Sequence, residues 1–156
     1  MKTTVILLMS ILAIPAASNA ALEQKVVPVQ IGAKAFRDGD VVQITEVLST
    51  SKDLEPGDTV TVRGRYRLDS VDSARLMLLL TQTESDGREE TDKSQIVTAK
   101  RGWHEFEAII TVKHRGFLHL TFYDGIGEPI GGVYFGTASQ MAKAEGLSIS
   151  HYKTDR

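Results

Sequence analysis

The chain of 156 residues contains no cysteine, so neither a disulfide nor a thiolate nucleophile is open to it, and no cysteine-linked lipid anchor can form. Stability in an oxidising compartment must therefore come from apolar burial and backbone hydrogen bonding alone. It also lacks an excess of either charge: 18 basic side chains face 20 acidic ones, a formal net charge of −2, which argues against a nucleic-acid binder. Enzyme signatures are missing as well, with no H-E-x-x-H, no G-x-S-x-G and no phosphate-binding glycine loop. No catalytic residue and no cofactor is expected. Long hydrophobic runs are scarce. The one that stands out, Val5 to Ile14, is too short to cross a bilayer as a stable anchor.

That run follows Lys2 and precedes Ser18-Asn19-Ala20, small residues at the positions a signal peptidase inspects. Residues 1–20 therefore read as a signal peptide cleaved before Ala21. The processed product is expected to be periplasmic or secreted and to carry no membrane anchor. Residues 21–152 then form a single domain, long enough to bury about two thirds of the surface of its unfolded chain. Residues 153–156 should fray.

What is present is a rhythm. Apolar residues recur with a period of two, broken by Gly, Asp and Pro at the spacing typical of sandwiches and barrels. The expectation is an all-β fold, an antiparallel β-sandwich of about eight strands in the jelly-roll manner, with one short C-terminal helix. Strands are placed at 25–31, with Pro28 marking an edge, and at 40–48, 59–68, 73–83, 95–100, 103–112, 116–123 and 132–136. Segment 84–94 reads as the longest polar loop. Helix is expected only at 138–144, stopped by Gly146, and an edge strand could follow at 147–152.

Alternation also assigns faces. In strand 59–68, Val60, Val62, Gly64, Tyr66 and Leu68 point inward while Arg63, Arg65 and Arg67 point outward. In strand 103–112, Phe106, Ala108, Ile110 and Val112 point inward while Glu105 and Glu107 point outward. Strand 73–83 is apolar on both sides, because Met77 and Leu79 oppose Leu76, Leu78 and Leu80; it should be covered on both faces or floor a groove. Its expected companion, 117–123, adds Phe117, His119, Thr121 and Tyr123 to that outer face.

In order and spacing, Gly57 to Arg67, the strand Ala74 to Leu80, Gly102-Trp103-His104-Glu105-Phe106-Glu107, Phe117 to Phe122 and Gly132-Val133-Tyr134-Phe135-Gly136 resemble the galactose-binding-like jelly rolls. Many carbohydrate-binding modules belong to that family. The resemblance covers roughly residues 36–136 and reports the core pattern rather than a ligand site. It implies a structural tryptophan at Trp103. The family's closing strand often carries an aromatic residue and an Asp near a bound calcium, where this chain has Phe135-Gly136.

Three constellations could carry function. The arginine stripe spaces its guanidiniums about 7 Å apart and could grip an anionic glycan or phosphate. The expected arrangement is instead an ion-pair ladder of Arg63, Arg65 and Arg67 with Glu105 and Glu107. The second constellation, His119, Thr121 and Tyr123 beside Arg75, Met77, Leu79 and Thr81, suits a sugar if the face is open, because a sugar ring stacks on tyrosine while its hydroxyls find polar partners. A covering segment would bury the same residues. Third, Asp38, Asp40, Asp69 and Asp72 could offer oxygens to a structural calcium, although tight turns require the same residues. Trp103 is placed at the edge of the core rather than as a stacking platform. Glu105 and Glu107, side by side on one strand, cannot easily flank a scissile bond as a glycosidase pair does.

These readings converge on an exported, non-catalytic binding module, with a glycan as the ligand. The alternative is a structural or adaptor protein that docks another protein through a sheet face or edge containing Met77 and Leu79.

Overall fold

A computed structural model describes residues 22–84 and 86–146; the expected signal peptide, the possible strand 147–152 and the tail 153–156 lie outside the described residues. The strands are β1 (Lys25–Val26), β2 (Gln30–Phe36), β3 (Val41–Ser49), β4 (Thr59–Gln82), β5 (Glu89–Thr91), β6 (Val97–Thr111), β7 (Gly116–Tyr123) and β8 (Pro129–Gly136). Helix α1 (Ala138–Lys143) follows them. All strand pairs are antiparallel, so the all-β class and the short C-terminal helix stand as the pattern predicts.

Alternation alone did not show that the two layers share strands. The expected strands 59–68 and 73–83 are one strand of 24 residues. The first half of β4 pairs with β3 on one edge and β6 on the other, whereas its second half pairs with β7 on one edge and with β5 and the start of β6 on the other. A single sheet in the order β1-β3-β4-β7-β8-β2 therefore curls over itself, with β5 and β6 attached to β4. Its first layer holds β1, β3, the front of β4 and the end of β6. The second layer holds β2, β8, β7, the back of β4, β5 and the start of β6.

The bend in β4 is a local slip in the ladder, between Leu68↔Gly102 and Ser73↔Lys100. Asp40 pins it. Its buried carboxylate accepts hydrogen bonds from the Asp69 N–H (2.7 Å), the Ser70 N–H (2.9 Å) and Ser70 Oγ (2.5 Å). The phase of β4 survives the bend, since Val60, Val62, Tyr66 and Leu68 before it and Leu76, Leu78 and Leu80 after it all face the core. Strand β6 changes phase instead: Ala99 points inward before Gly102, Phe106 and Ala108 after it, and Gly102 takes the positive φ of 95° that this shift needs.

The core lies inside the curl. Phe122 of β7 meets Tyr66 edge-on at 5.7 Å and Phe36 at 6.4 Å, joining both layers and β2. Burying each such side chain stabilises the fold by about 1.5–3 kcal/mol before conformational entropy is subtracted. The Tyr66 hydroxyl stays satisfied by accepting the Lys100 N–H at 3.1 Å.

Other boundaries follow from backbone chemistry. The expected strand 25–31 breaks at Pro28, which has no N–H to donate, and the chain there leaves β3 for β8. The expected polar loop contains β5 and a 3-10 turn at Lys93–Gln95, so the strand placed at 95–100 begins at Val97. A capping box opens α1, in which the Gln140 N–H donates to Thr137 Oγ1 and the Thr137 N–H to Gln140 Oε1. Met141 and Ala144 then pack over Phe117 and Tyr134 on the outside of the second layer. Among the described residues no helix is long and apolar enough to cross a membrane.

Candidate functional site

The second layer's outer face has the neighbours that alternation predicts. Arg75, Met77, Leu79 and Thr81 of β4 stand opposite Tyr123, Thr121, His119 and Phe117 of β7. Of the two alternatives for this face, an open groove or a covered surface, the structure has the covered one. Leu79 and His119 are each 3% exposed and Thr121 is 1% exposed. Their polar atoms are bonded to one another and to neighbouring strands. His119 Nδ1 lies 2.7 Å from Thr121 Oγ1, and His119 Nε2 lies 2.7 Å from Glu89 Oε2. Thr81 Oγ1 donates to Glu89 Oε1 at 2.9 Å and sits 3.2 Å from both His119 Nε2 and the Tyr134 hydroxyl.

The assignment of His119 and Thr121 to a ligand is therefore corrected. A ligand would have to break a satisfied buried network, and an orphaned polar group there costs about 1–3 kcal/mol. The line Thr121, His119, Glu89 has the order of a nucleophile, base and carboxylate, but a buried mid-strand Thr121 leaves no room for a substrate atom beside its oxygen. Arg75 remains exposed and Tyr123 partly exposed at the margin. Burial, and after it the Glu89 charge, push the Tyr123 phenol up to about 12. Sequence reasoning missed Glu89 and Tyr134. Tyr134 was legible, since it lies between the inward-facing Val133 and Phe135.

The first layer's outer face is open. Three strands lie side by side there, and the register arranges their outward residues in rows: Glu46, Arg63 and Glu107; Gln43, Arg65 and Glu105; Val41, Arg67 and Trp103. In the first row Arg63 binds Glu107 at 2.6 Å and Glu46 at 3.0 Å, as a ladder requires. Arg67 pairs with Asp69 on its own strand at 2.6 Å. Arg65 departs from the ladder. It faces Glu105 in the register, yet its Nε donates to Gln43 Oε1 at 2.6 Å and its guanidinium lies 4.8 Å above the Trp103 ring. Glu105 makes no hydrogen bond or ion pair with any described residue.

Trp103 is 47% exposed on this face, which corrects its placement at the core edge. The phase that sends Glu105 and Glu107 outward sends Trp103 outward too. A close backbone approach shapes the floor: a Cβ on Gly64 would fall 2.1 Å from the Gln43 carbonyl oxygen, so β3 can bulge between Ile44 and Glu46 only over a glycine. A shallow concavity of about 470 Å³ lies over Arg63, Arg65, Glu105 and Glu107. Three guanidiniums here meet four carboxylates, those of Glu46, Asp69, Glu105 and Glu107. The face is thus not the cationic strip that would grip an anionic glycan or phosphate.

A larger cleft of about 940 Å³ opens at one end of the sandwich, between residues 27–30, residues 52–56, Arg115 and α1. Its walls carry both charges, Lys52 and Lys143 against Asp53 and Glu55, and no aromatic side chain. Three of the four acidic residues considered for calcium are engaged within the chain: Asp40 by three donors at the bend, Asp69 by Arg67, and Asp72 by Arg101 at 3.0 Å. Among the described residues no group of three or more His, Asp or Glu side chains could hold a metal ion. Compared with protein-family models, curated proteins and solved structures, the chain matches none.

Proposed function

We propose that the chain is a non-catalytic binding module acting outside the cytoplasm, in the periplasm or beyond the cell, with a carbohydrate as its ligand. Its site on this reading is the open face of the first layer. One observation carries the proposal: a half-exposed Trp103, held under Arg65, beside the unpaired Glu105. A sugar presents an apolar C–H face and a rim of hydroxyls, which suit a flat indole flanked by donors and acceptors. All these groups stand on paired strands, so little ordering entropy is lost on binding. The signal-like segment 1–20 and the resemblance to galactose-binding-like jelly rolls point the same way.

Glycan-array screening and calorimetry on the processed protein test this. Binding is expected for the wild type and for Tyr123→Ala, and is expected to vanish in Trp103→Ala with folding intact. Failure to bind any glycan, or full affinity in Trp103→Ala, removes the reading.

One observation favours the adaptor alternative. Leu22, Val26 and Ile31, three of the large apolar residues exposed among the described ones, lie close together in the sequence, Val26 on the edge strand β1 and Ile31 on the edge strand β2. Docking there would replace docking through the buried Leu79. Light scattering on the wild type and on Ile31→Glu checks it: an oligomer lost in the variant supports an apolar interface, and a strict monomer in both argues against self-association.

A further inference from the structure

The middle row of the open face differs from its neighbours in a way that specifies a ligand. Arg65 and Glu105 are adjacent across the ladder and of opposite charge, as are Arg63 and Glu107 one row away, yet only the second pair forms. Arg65 is turned aside by Gln43 and Trp103. The energetic difference is small, because an exposed ion pair and an exposed cation–π contact are both weak. The chemical difference is large. Glu105 keeps all its acceptor capacity, and Arg65, with its Nε engaged, keeps the N–H donors of its two terminal nitrogens.

Building on the binding-module reading, we propose that this row selects an uncharged sugar over an acidic one, and that Glu105 is the residue that discriminates. A pyranose ring packed against the part of the indole that Arg65 leaves exposed places neighbouring hydroxyls beside Glu105 and Arg65, one donating to the carboxylate and the next accepting from the guanidinium. The row from Gln43 to Glu105 crosses three strands and so spans about 10 Å, the length of about two sugar rings. An acidic sugar in the same pose brings its carboxylate against Glu105. Arg63 and Arg67 do not relieve that repulsion, being already paired to Glu46, Glu107 and Asp69, and the single charge of Arg65 is balanced by Glu105 beside it, so the row offers an acidic sugar no net cation.

The test uses tetramers of β-1,4-linked glucose, mannose and galactose, each with a counterpart oxidised at C6 to the uronate. Calorimetry on the wild type, Glu105→Gln and Trp103→Ala reads the affinities. At least one neutral tetramer is expected to bind the wild type about tenfold more tightly than its uronate, with the gap narrowing as salt is raised. Glu105→Gln, which keeps the shape and an acceptor but drops the charge, should shrink the gap to about threefold or less. Trp103→Ala should lose both ligands. Uronates bound as tightly as neutral tetramers, or a gap unchanged in Glu105→Gln, overturn the selection proposal and leave the binding module standing. A wild type that binds none of the six tetramers overturns the selection proposal, and the array then decides separately whether the module reading survives.

Discussion

The outward residues of one strand make two opposite surfaces. At the front of β4, Arg63, Arg65 and Arg67 lie in the open, while at the back Leu79 is buried and Thr81 joins a closed network around His119. Strand geometry is the same in both halves, so the difference comes from what the rest of the chain brings. Strands β3 and β6 supply Gln43, Glu46, Glu105 and Glu107 beside the arginines and Trp103 under Arg65. Strand β5, β8 and α1 supply Glu89, Tyr134 and Met141, which fill the space above the back half. An outward position is thus exposed only if no distant segment covers it.

Substitutions can break this contrast at either end. The largest effect is expected from Gly64→Ala, because the new methyl group meets backbone rather than a movable side chain. A loss of about 2–4 kcal/mol in urea unfolding is anticipated, together with loss of sugar binding as Gln43 and Arg65 separate. His119→Ala should cost about 1–3 kcal/mol by removing the ring's bonds to Thr121 and Glu89 and emptying its place against Tyr134, yet leave glycan affinity unchanged. Equal losses of binding in the two variants would erase the distinction between the faces.

A pH series sharpens the contrast. The phenol of Tyr123 ionises at about 12 in the folded protein against about 10 when unfolded, so the unfolded chain gives up its proton first. Stability from this group is complete below pH 10 and declines as pH rises from 10 towards 12. Unfolding of Tyr123→Phe across that window should show a shallower decline than the wild type. The smallest effect belongs to the open face. Arg63→Ala removes two exposed ion pairs, and its unfolding midpoint should stay close to that of the wild type.

Much of this was legible in the sequence. The two-residue period placed the core residues of β4, β6 and β7 and the outward arginines, and the alanine-rich stretch before Gly146 placed the closing helix. Trp103 was legible too, through the parity it shares with Glu105 and Glu107, but resemblance to a family with a structural tryptophan there pulled it inward. The continuity of β4 was hidden because Asp69-Ser70-Val71-Asp72 has the composition of a turn, and only the carboxylate of Asp40, far back in the chain, makes it a bend instead. The identity of the segments that close the His119 face was hidden for a similar reason. Glu89 lies thirty positions before His119 in a stretch of polar residues, and local periodicity carries no information about such a contact.

The shared strand has a mechanical consequence. Because β4 runs unbroken through both layers, neither half can peel off without tearing the ladders of the other, and no loop between them can act as a hinge. Melting should proceed in one cooperative step. Any cargo held by Arg65 and Trp103 would be carried on a stiff plank, with occupancy at one end leaving the position of the other unmoved.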